Sequence, residues 1–308
     1  MIQFSHLPVL FNEVVQALDI KNNGIYIDGT AGGGGHSSAV AENLTSGRLF
    51  CIDRDPDAIA VCSERFASNP CVTVIHSPYS QMDSVIPAEF KGRINGILLD
   101  IGVSSHQLDT SERGFSYHND APLDMRMSQE GVSATDIVNS YSWQELAKIF
   151  TKYGEERFSV PIAKAICAKR ETAPISSTLE LADLISNSVP AAARRGGHPA
   201  RKVFQALRIE VNGELSELER GMDAALELLA PGGRLAIITF HSLEDRIVKT
   251  KMADWAKGCV CPPQFPVCVC GNKPKAQLLS KKPIEPSKEE IEINPRSRSS
   301  RLRVCIKQ

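Results

Sequence analysis

Four consecutive glycines lie inside Asp28-Gly-Thr-Ala-Gly-Gly-Gly-Gly-His36. Such a run lets backbone amides approach a ligand more closely than side chains would permit. The bland alternative is a mobile turn. A phosphate-cradling P-loop is excluded, because no Lys-Ser/Thr follows the glycines. A strict dinucleotide G-x-G-x-x-G also fails. Started at Gly29 it meets Ala31 at its second glycine, and started at Gly32 it meets Ser37 at its last. A nucleoside-containing ligand fits better. Asp53 lies 18 residues beyond Gly35, where a carboxylate can accept from both ribose hydroxyls. Tyr79, in Ser77-Pro-Tyr79, offers a ring to a base, and Asp100 offers another carboxylate. Each of these residue types is common on surfaces. Their meaning depends on what holds them.

The elements that must hold them alternate strand and helix. Short apolar runs at Gly24–Ile27, Gly47–Ile52 and Ile94–Leu99 each end in a carboxylate, at Asp28, Asp53 and Asp100. Val72–Ile75 is a further run. Ser37 to Leu44 reads as a helix, and Asp55 can cap another with Pro56 at its first position. This rhythm predicts βαβ units and a parallel sheet. It places the three acids at strand carboxyl ends, where open α/β sheets bind ligands. From Gly114 to about Pro199 there are helix signals and no convincing strand. Ser142-Trp-Gln-Glu145 and Ser177-Thr-Leu-Glu180 read as capping boxes. A helical insertion is the simplest account, with residues 1–113 and 200–308 forming one discontinuous domain and 114–199 the insertion. Apolar residues from Val203 to Leu229 recur on one helical face and predict a single long helix. Pro231-Gly-Gly233 should stop it, before a buried strand at Leu235–Thr239. Ser242 with Asp245 suggests the next cap. The tail adds a Cys-rich loop and a final basic strand-like stretch.

Composition narrows the class. The chain has 308 residues, 23% charged and 42% hydrophobic, which suits a folded protein rather than a disordered one. A formal net charge of −1 excludes a uniformly basic nucleic-acid coat protein but not local basic patches. No apolar run is long enough to span a bilayer, and the opening MIQFSHLPVL lacks the pattern of a secretory signal. Nine cysteines, an odd number, include Cys51, Cys62, Cys71, Cys167 and Cys305 scattered among apolar positions. That usage fits a reducing cytoplasm better than a disulfide framework.

Several unusual strings carry a resemblance along nearly the whole chain. They are His6 to Leu10, Gly24-Ile-Tyr-Ile-Asp-Gly-Thr30, Gly33-Gly-Gly-His36, Ile52-Asp-Arg-Asp-Pro56 and Ile97-Leu-Leu-Asp-Ile-Gly-Val-Ser-Ser105. They continue through Arg113-Gly-Phe-Ser116, Pro122-Leu-Asp-Met-Arg-Met127, Tyr153-Gly-Glu-Glu-Arg157, Phe240-His-Ser-Leu-Glu-Asp-Arg246 and Asn294-Pro-Arg-Ser-Arg-Ser299. In these the chain resembles the bacterial MraW family of S-adenosylmethionine-dependent small-subunit (16S) ribosomal RNA cytosine-N4 methyltransferases. The resemblance implies an α/β class I (Rossmann-like) methyltransferase fold, with a mostly parallel seven-stranded sheet and an all-helical insertion for substrate recognition. It implies S-adenosylmethionine as cofactor, held by Gly34, Gly35, His36, Asp53, Tyr79, Asp100 and Gln107. It implies rRNA methylation at N4 of a decoding-region cytosine, cytosine 1402 in the usual numbering. The substrate would be small-subunit ribosomal RNA in the assembled or assembling 30S subunit, in the cytoplasm and away from membranes. A homodimer is left open. Thr30 departs from the wider class, which often carries the first glycine of D-x-G-x-G-x-G there. That costs nothing if the backbone has negative φ.

The acceptor amine is a poor nucleophile, so its protons need acceptors and its geometry must be fixed. No metal is required. Many amino-methyltransferases carry D/N/S-P-P-Y/F after the fourth strand, whereas this chain has Asp100-Ile-Gly-Val-Ser-Ser105. Backbone carbonyls around Gly102 to Ser104 are therefore expected to face the amine, with Phe115 or Tyr117 stacking on the base. Asp124 is the candidate side-chain acceptor, with an ion pair to Arg126 or Arg113 as the competing role. His241 is a second candidate, with a helix cap as its competing role. Arg194-Arg-Gly-Gly-His-Pro-Ala-Arg-Lys202 forms one acid-free basic cluster. Arg296, Arg298, Arg301, Arg303 and Lys307 form another. In an RNA enzyme both become phosphate contacts, and access to the amine needs an unpaired or flipped base. Cys259, Cys261, Cys268 and Cys270 are spaced so that they could bind zinc, although C-x-C pairs are less typical than C-x2-C. Reduced thiols in a loop are the alternative. Other readings weighed are a methyltransferase acting on DNA or another RNA, a dinucleotide oxidoreductase, and an RNA-binding module.

Overall fold

The computed structural model describes residues 8–262, 264–267 and 269–308, with side chains at 195 and 196 left aside. Parts of two expectations, His6 and Cys268, lie outside the described residues. The chain divides into two compact units, residues 1–102 with 215–308, and residues 103–214.

The first unit is a sheet with helices on both faces. Its strands are β1 (Ile25–Asp28), β2 (Arg48–Asp53), β3 (Val72–His76), β4 (Ile94–Asp100), β5 (Leu229–Thr239), β6 (Ala276–Leu278) and β7 (Arg301–Lys307). Their order is β3-β2-β1-β4-β5-β7-β6. Among the described strands of this sheet, β7 pairs antiparallel with β5 and β6, and the other neighbours pair parallel. The mostly parallel seven-stranded sheet is thus as expected. The early helices of this unit are α1 (Phe11–Leu18), α2 (Gly35–Glu42), α3 (Pro56–Arg65) and α4 (Met82–Val85).

Strand alternation sorts the core into two layers. Ile27, Ile97, Leu99, Leu235 and Ile237 share one cluster with Met82 and Met222. Their neighbours Tyr26, Leu98, Ala236 and Ile238 share the other with Val14, Val40 and Cys62. Because both faces are covered, the strands read as continuous apolar runs rather than alternating ones. The chain runs outward from β1 through β2 to β3 and then returns to β4 on the other side of β1. That reversal opens a crevice at the carboxyl ends of β1 and β4.

The second unit is helical: α5 (Ser105–Asp109), α6 (Ala134–Ser140), α7 (Trp143–Gly154), α8 (Ser159–Arg170), α9 (Thr178–Asn187) and α10 (Ala200–Asn212). Reciprocal capping boxes start α5, α6 and α7, and the Ser177 side chain caps α9. A single cluster containing Leu123, Leu146, Phe150, Ile162, Ile185 and Phe204 forms its core.

The chain returns through α11 (Glu214–Leu228), α12 (Ser242–Trp255) and α13 (Lys288–Ile293). Four expectations change here. The long helix expected from Val203 to Leu229 is two helices, broken at Gly213, whose φ is +60°. The break places α10 with the helical unit, where a Cβ on Gly154 of α7 would come 2.6 Å from the Lys202 carbonyl. That packing puts the division near 102/103 and 214/215, outside the 113/114 and 199/200 read from composition. Pro231-Gly-Gly233 does not separate helix from strand. It is an irregularity within β5, between the pairs Ile94–Leu229 and Gly96–Arg234. The cap of α12 is His241 with Glu244, one residue earlier than Ser242 with Asp245.

Candidate functional site

The glycine loop joins β1 to α2 across the crevice. Asp28 ends β1 and is buried. It accepts from the Ser37 hydroxyl at 2.6 Å and the Thr30 amide at 3.2 Å, so it ties both ends of the loop together. Burial pushes its pKa up to about 6, against those two hydrogen bonds. Gly34 has φ +79° and is the N-cap of α2. That left-handed conformation favours glycine, and a Cβ there would lie 3.1 Å from Arg65 and the Phe66 ring. The following amides open α2, whose first N–H groups have no partner within the helix.

Asp53 ends β2 and is fixed before any ligand arrives. Its Oδ2 accepts from the Gly32 amide at 2.8 Å, and its Oδ1 from the Asp55 amide at 2.8 Å. Burial raises its pKa to about 6, with the Asp55 and Asp28 charges adding to the rise and both amides opposing it. Asp100 ends β4. Its own amide donates to Thr30 Oγ1 at 2.6 Å, but among the described residues its buried Oδ1 has no hydrogen-bond partner. Burial, then the charges of Asp28 and Glu244, push this carboxyl up to about 8. His36 Nε2 stands 3.8 Å from Asp100 Oδ2, beyond hydrogen-bond reach. Among the described residues neither ring nitrogen makes a hydrogen bond of strict geometry, although the Val9 backbone lies close enough to oppose the effect of burial. Burial lowers its pKa to about 4, so the ring is neutral, and it stacks on Phe11 with centroids 6.1 Å apart.

Tyr79 opens a short 3-10 turn after β3. Its ring packs where a Cβ on Gly221 of α11 would come within 2.4 Å, and its Cβ lies 3.1 Å from the Cβ position of Gly29. Gly221 is therefore required for the ring to sit there, whereas a Cβ on Gly29 would collide chiefly with Leu99 Cδ2, at 2.5 Å. The first unit thus gathers Gly34, Gly35, His36, Asp53, Tyr79 and Asp100 around three strand ends. Two residues carry roles that sequence alone does not assign. Thr30 anchors β4 through its hydroxyl, at a backbone position without positive φ. Ser37 anchors Asp28. The legible signal for Thr30 was a side chain in place of a customary glycine.

The helical unit holds the remaining candidates. Gln107 is buried and completes the capping box of α5, its Oε1 accepting from the Ser104 amide at 3.0 Å. Asp124 is forked by Arg126, with Nη2 to Oδ2 at 2.6 Å and Nε to Oδ1 at 3.0 Å. Burial pushes its pKa up, but the hydrogen bonds and charge of Arg126, with the charge of Arg113, outweigh this and lower it. Phe115 is buried in the core beneath Arg113. Tyr117 is half-buried and stacks on His198 at 4.9 Å, with Phe204 edge-on at 5.3 Å. In the first unit, His241 is a cap: its Nδ1 accepts from the Glu244 amide at 3.4 Å, and its Nε2 lies 3.0 Å from Glu244 Oε1.

The basic clusters differ from one another. Arg303 and Arg301 of β7 both pair with Asp245 of α12, at 2.7 and 3.2 Å. Two cations of the acid-free C-terminal stretch are therefore committed to an ion pair that sequence proximity hides. In the other cluster, Arg194 and Lys202 donate to the carbonyls of Val189 and Glu155. Among the described residues no helix is long and apolar enough to cross a membrane.

Residues 3–308 match the family described as the MraW methylase family, and the chain belongs to it. A protein from Heliobacterium mobile named Ribosomal RNA small subunit methyltransferase H is 53% identical over 312 residues, covering 99% of both chains. One of the same name from Clostridium botulinum (strain Loch Maree / Type A3) is 50% identical over 307 residues, again covering 99% of both.

Proposed function

We propose that this member of the MraW methylase family moves a methyl group from S-adenosylmethionine to the exocyclic N4 amine of a decoding-region cytosine in small-subunit ribosomal RNA, cytosine 1402 in the usual 16S numbering. The observation that carries the cofactor half is the group of strand-end acids around a glycine loop, one of them with a buried, unpartnered oxygen. Those residues suit a nucleoside carrying a charged tail. Asp53, already oriented by two amides, retains lone pairs for two ribose hydroxyls. Asp100 Oδ1 is an acceptor that a ligand donor would satisfy. Tyr79 lends an aromatic face beside the loop, and Gln107 is the contact assigned to the helical unit. When bound, S-adenosylmethionine supplies an electrophilic methyl on a sulfonium.

The cytosine amine is a weak nucleophile, so the protein's contribution is alignment and oriented acceptors. Asp124 is the better of the two side-chain candidates. Its lowered pKa keeps it ionised, and the Arg126 side chain and backbone amide together orient both of its oxygens. His241 spends Nδ1 on its own helix cap. Between the two aromatic candidates, Tyr117 is the more accessible, because Phe115 is buried. The reading is supported by membership of the MraW methylase family and by relatives about half identical to this chain that are named Ribosomal RNA small subunit methyltransferase H.

Labelled methyl transfer from S-adenosylmethionine tests it, with small subunits lacking the modification, free 16S rRNA and duplex DNA as parallel acceptors. We expect about one methyl per small subunit and none on DNA. Labelling confined to DNA would overturn the substrate.

A further inference from the structure

We propose that the loop between α12 and β6 is a zinc site whose protein ligands include the thiolates of Cys259, Cys261 and Cys270. The three are unbridged by disulfides, and their sulfur atoms all lie within 4.8 Å of one another. Cys259 Sγ and Cys270 Sγ are 3.8 Å apart. Two sulfurs each about 2.3 Å from a tetrahedral zinc stand about 3.8 Å apart, so this pair already has the separation of a zinc edge.

A second observation comes from the backbone. The amide of Val260 donates to Cys270 Sγ at 3.4 Å, and that of Asn272 donates to the same atom at 3.4 Å. The Cys261 amide donates to Cys259 Sγ at 3.4 Å, and the Val269 amide to Cys261 Sγ at 3.3 Å. A neutral thiol sulfur is a weak acceptor, and four amides aimed at three sulfurs make sense if those sulfurs carry negative charge. Outer hydrogen bonds of this kind orient metal ligands and tune them.

The third observation is what the loop lacks. Val260, Val267 and Val269 are 61%, 69% and 73% exposed, so among the described residues no apolar core gathers the cysteines. The loop is closed at its base by Asn272, whose side chain donates to the carbonyls of Lys257 and Gly258, and by the Lys275 amide, which donates to the Trp255 carbonyl. Small segments without a core are commonly held by a metal. Soft thiolates at tetrahedral spacing select zinc over magnesium or calcium. The site is structural. It lies outside the glycine loop, and no step of methyl transfer runs through it. Cys268 lies outside the described residues and is not counted among these ligands.

Metal content of untagged protein, purified in reducing buffer without chelator, tests this. Wild type and Cys167→Ser, which alters a cysteine in α8, should carry about one zinc per chain. Cys261→Ser and Cys270→Ser should carry less than about one tenth of that, with circular dichroism showing that they fold. Cobalt substitution should give the visible bands of tetrahedral thiolate coordination in wild type and Cys167→Ser but in neither loop variant. Substoichiometric zinc in wild type after reconstitution with zinc chloride would overturn the proposal. So would full zinc retention in both loop variants.

Discussion

Replacing Asp53 by Asn separates the ligand role of the strand-end acid from its structural role. In the ligand-free protein the carboxylate is costly: burial raises its pKa from 3.8 to about 6. At pH 8 that is about 3 kcal/mol of unfavourable charge burial, which Asn removes. Asn also turns an N–H group toward either the Gly32 or the Asp55 amide, and losing that acceptor costs about 1–3 kcal/mol. The two effects nearly offset, so unfolding stability at pH 8 should change by less than about 2 kcal/mol. Binding has no such offset. A charge-assisted hydrogen bond to a ribose hydroxyl is worth about 1.5–3 kcal/mol, and Asn forfeits at least one. The dissociation constant for S-adenosylmethionine should rise about 10- to 100-fold. Titration calorimetry and urea unfolding at pH 8 read the two quantities independently. Affinity within threefold of wild type would refute the ribose assignment. A stability loss above about 3 kcal/mol with unchanged affinity would make Asp53 a strut for the loop.

Gly34→Ala forces a Cβ into φ +79° beside Arg65 and Phe66. We expect about 1–2 kcal/mol of destabilisation by urea unfolding, together with weaker cofactor binding by calorimetry. The native pKa of Asp100, about 8, exceeds its ordinary 3.8. The native state therefore holds a proton that the unfolded state releases, and stability falls as pH rises from about 4 to about 8. Asp100→Asn should flatten part of that slope and leave the variant more stable than wild type at pH 8, as followed by chemical unfolding across pH. Asp245→Ala strands Arg303 between α12 and β7 and should cost about 3 kcal/mol, seen as a lower urea midpoint. Asp124→Asn should lower kcat by about 100-fold with cofactor affinity unchanged, and normal turnover in single-turnover assays would remove Asp124 from the acceptor site.

Local chemistry made much of the fold legible. Runs ending in Asp28, Asp53 and Asp100 mark strand ends because a carboxylate interrupts an apolar run. Asp55-Pro56 marks a helix start because proline has no N–H to satisfy there. The break at Gly213 was hidden because apolar spacing continues through it, and only the left-handed turn interrupts the hydrogen bonding. Pro231-Gly-Gly233 looked like an end because those residues punctuate most elements, yet the sheet absorbs them as a bulge. The ion pairs of Arg301 and Arg303 join residues 56 and 58 positions from Asp245, a distance that local charge patterning cannot bridge. In the site, glycines and acids were readable because they recur at successive strand ends, where open α/β sheets bind ligands. The anchoring by Thr30 and Ser37 was not, because small hydroxyls have many uses and only the loop's closure assigns these.

The most direct measurement identifies the nucleoside made. Small subunits lacking the modification would be incubated with the protein and S-adenosylmethionine, and the rRNA then digested and analysed by mass spectrometry. N4-methylated cytidine from a single decoding-region position is the expected product. A methyl on a ribose, on a ring carbon, or on another base would contradict the account.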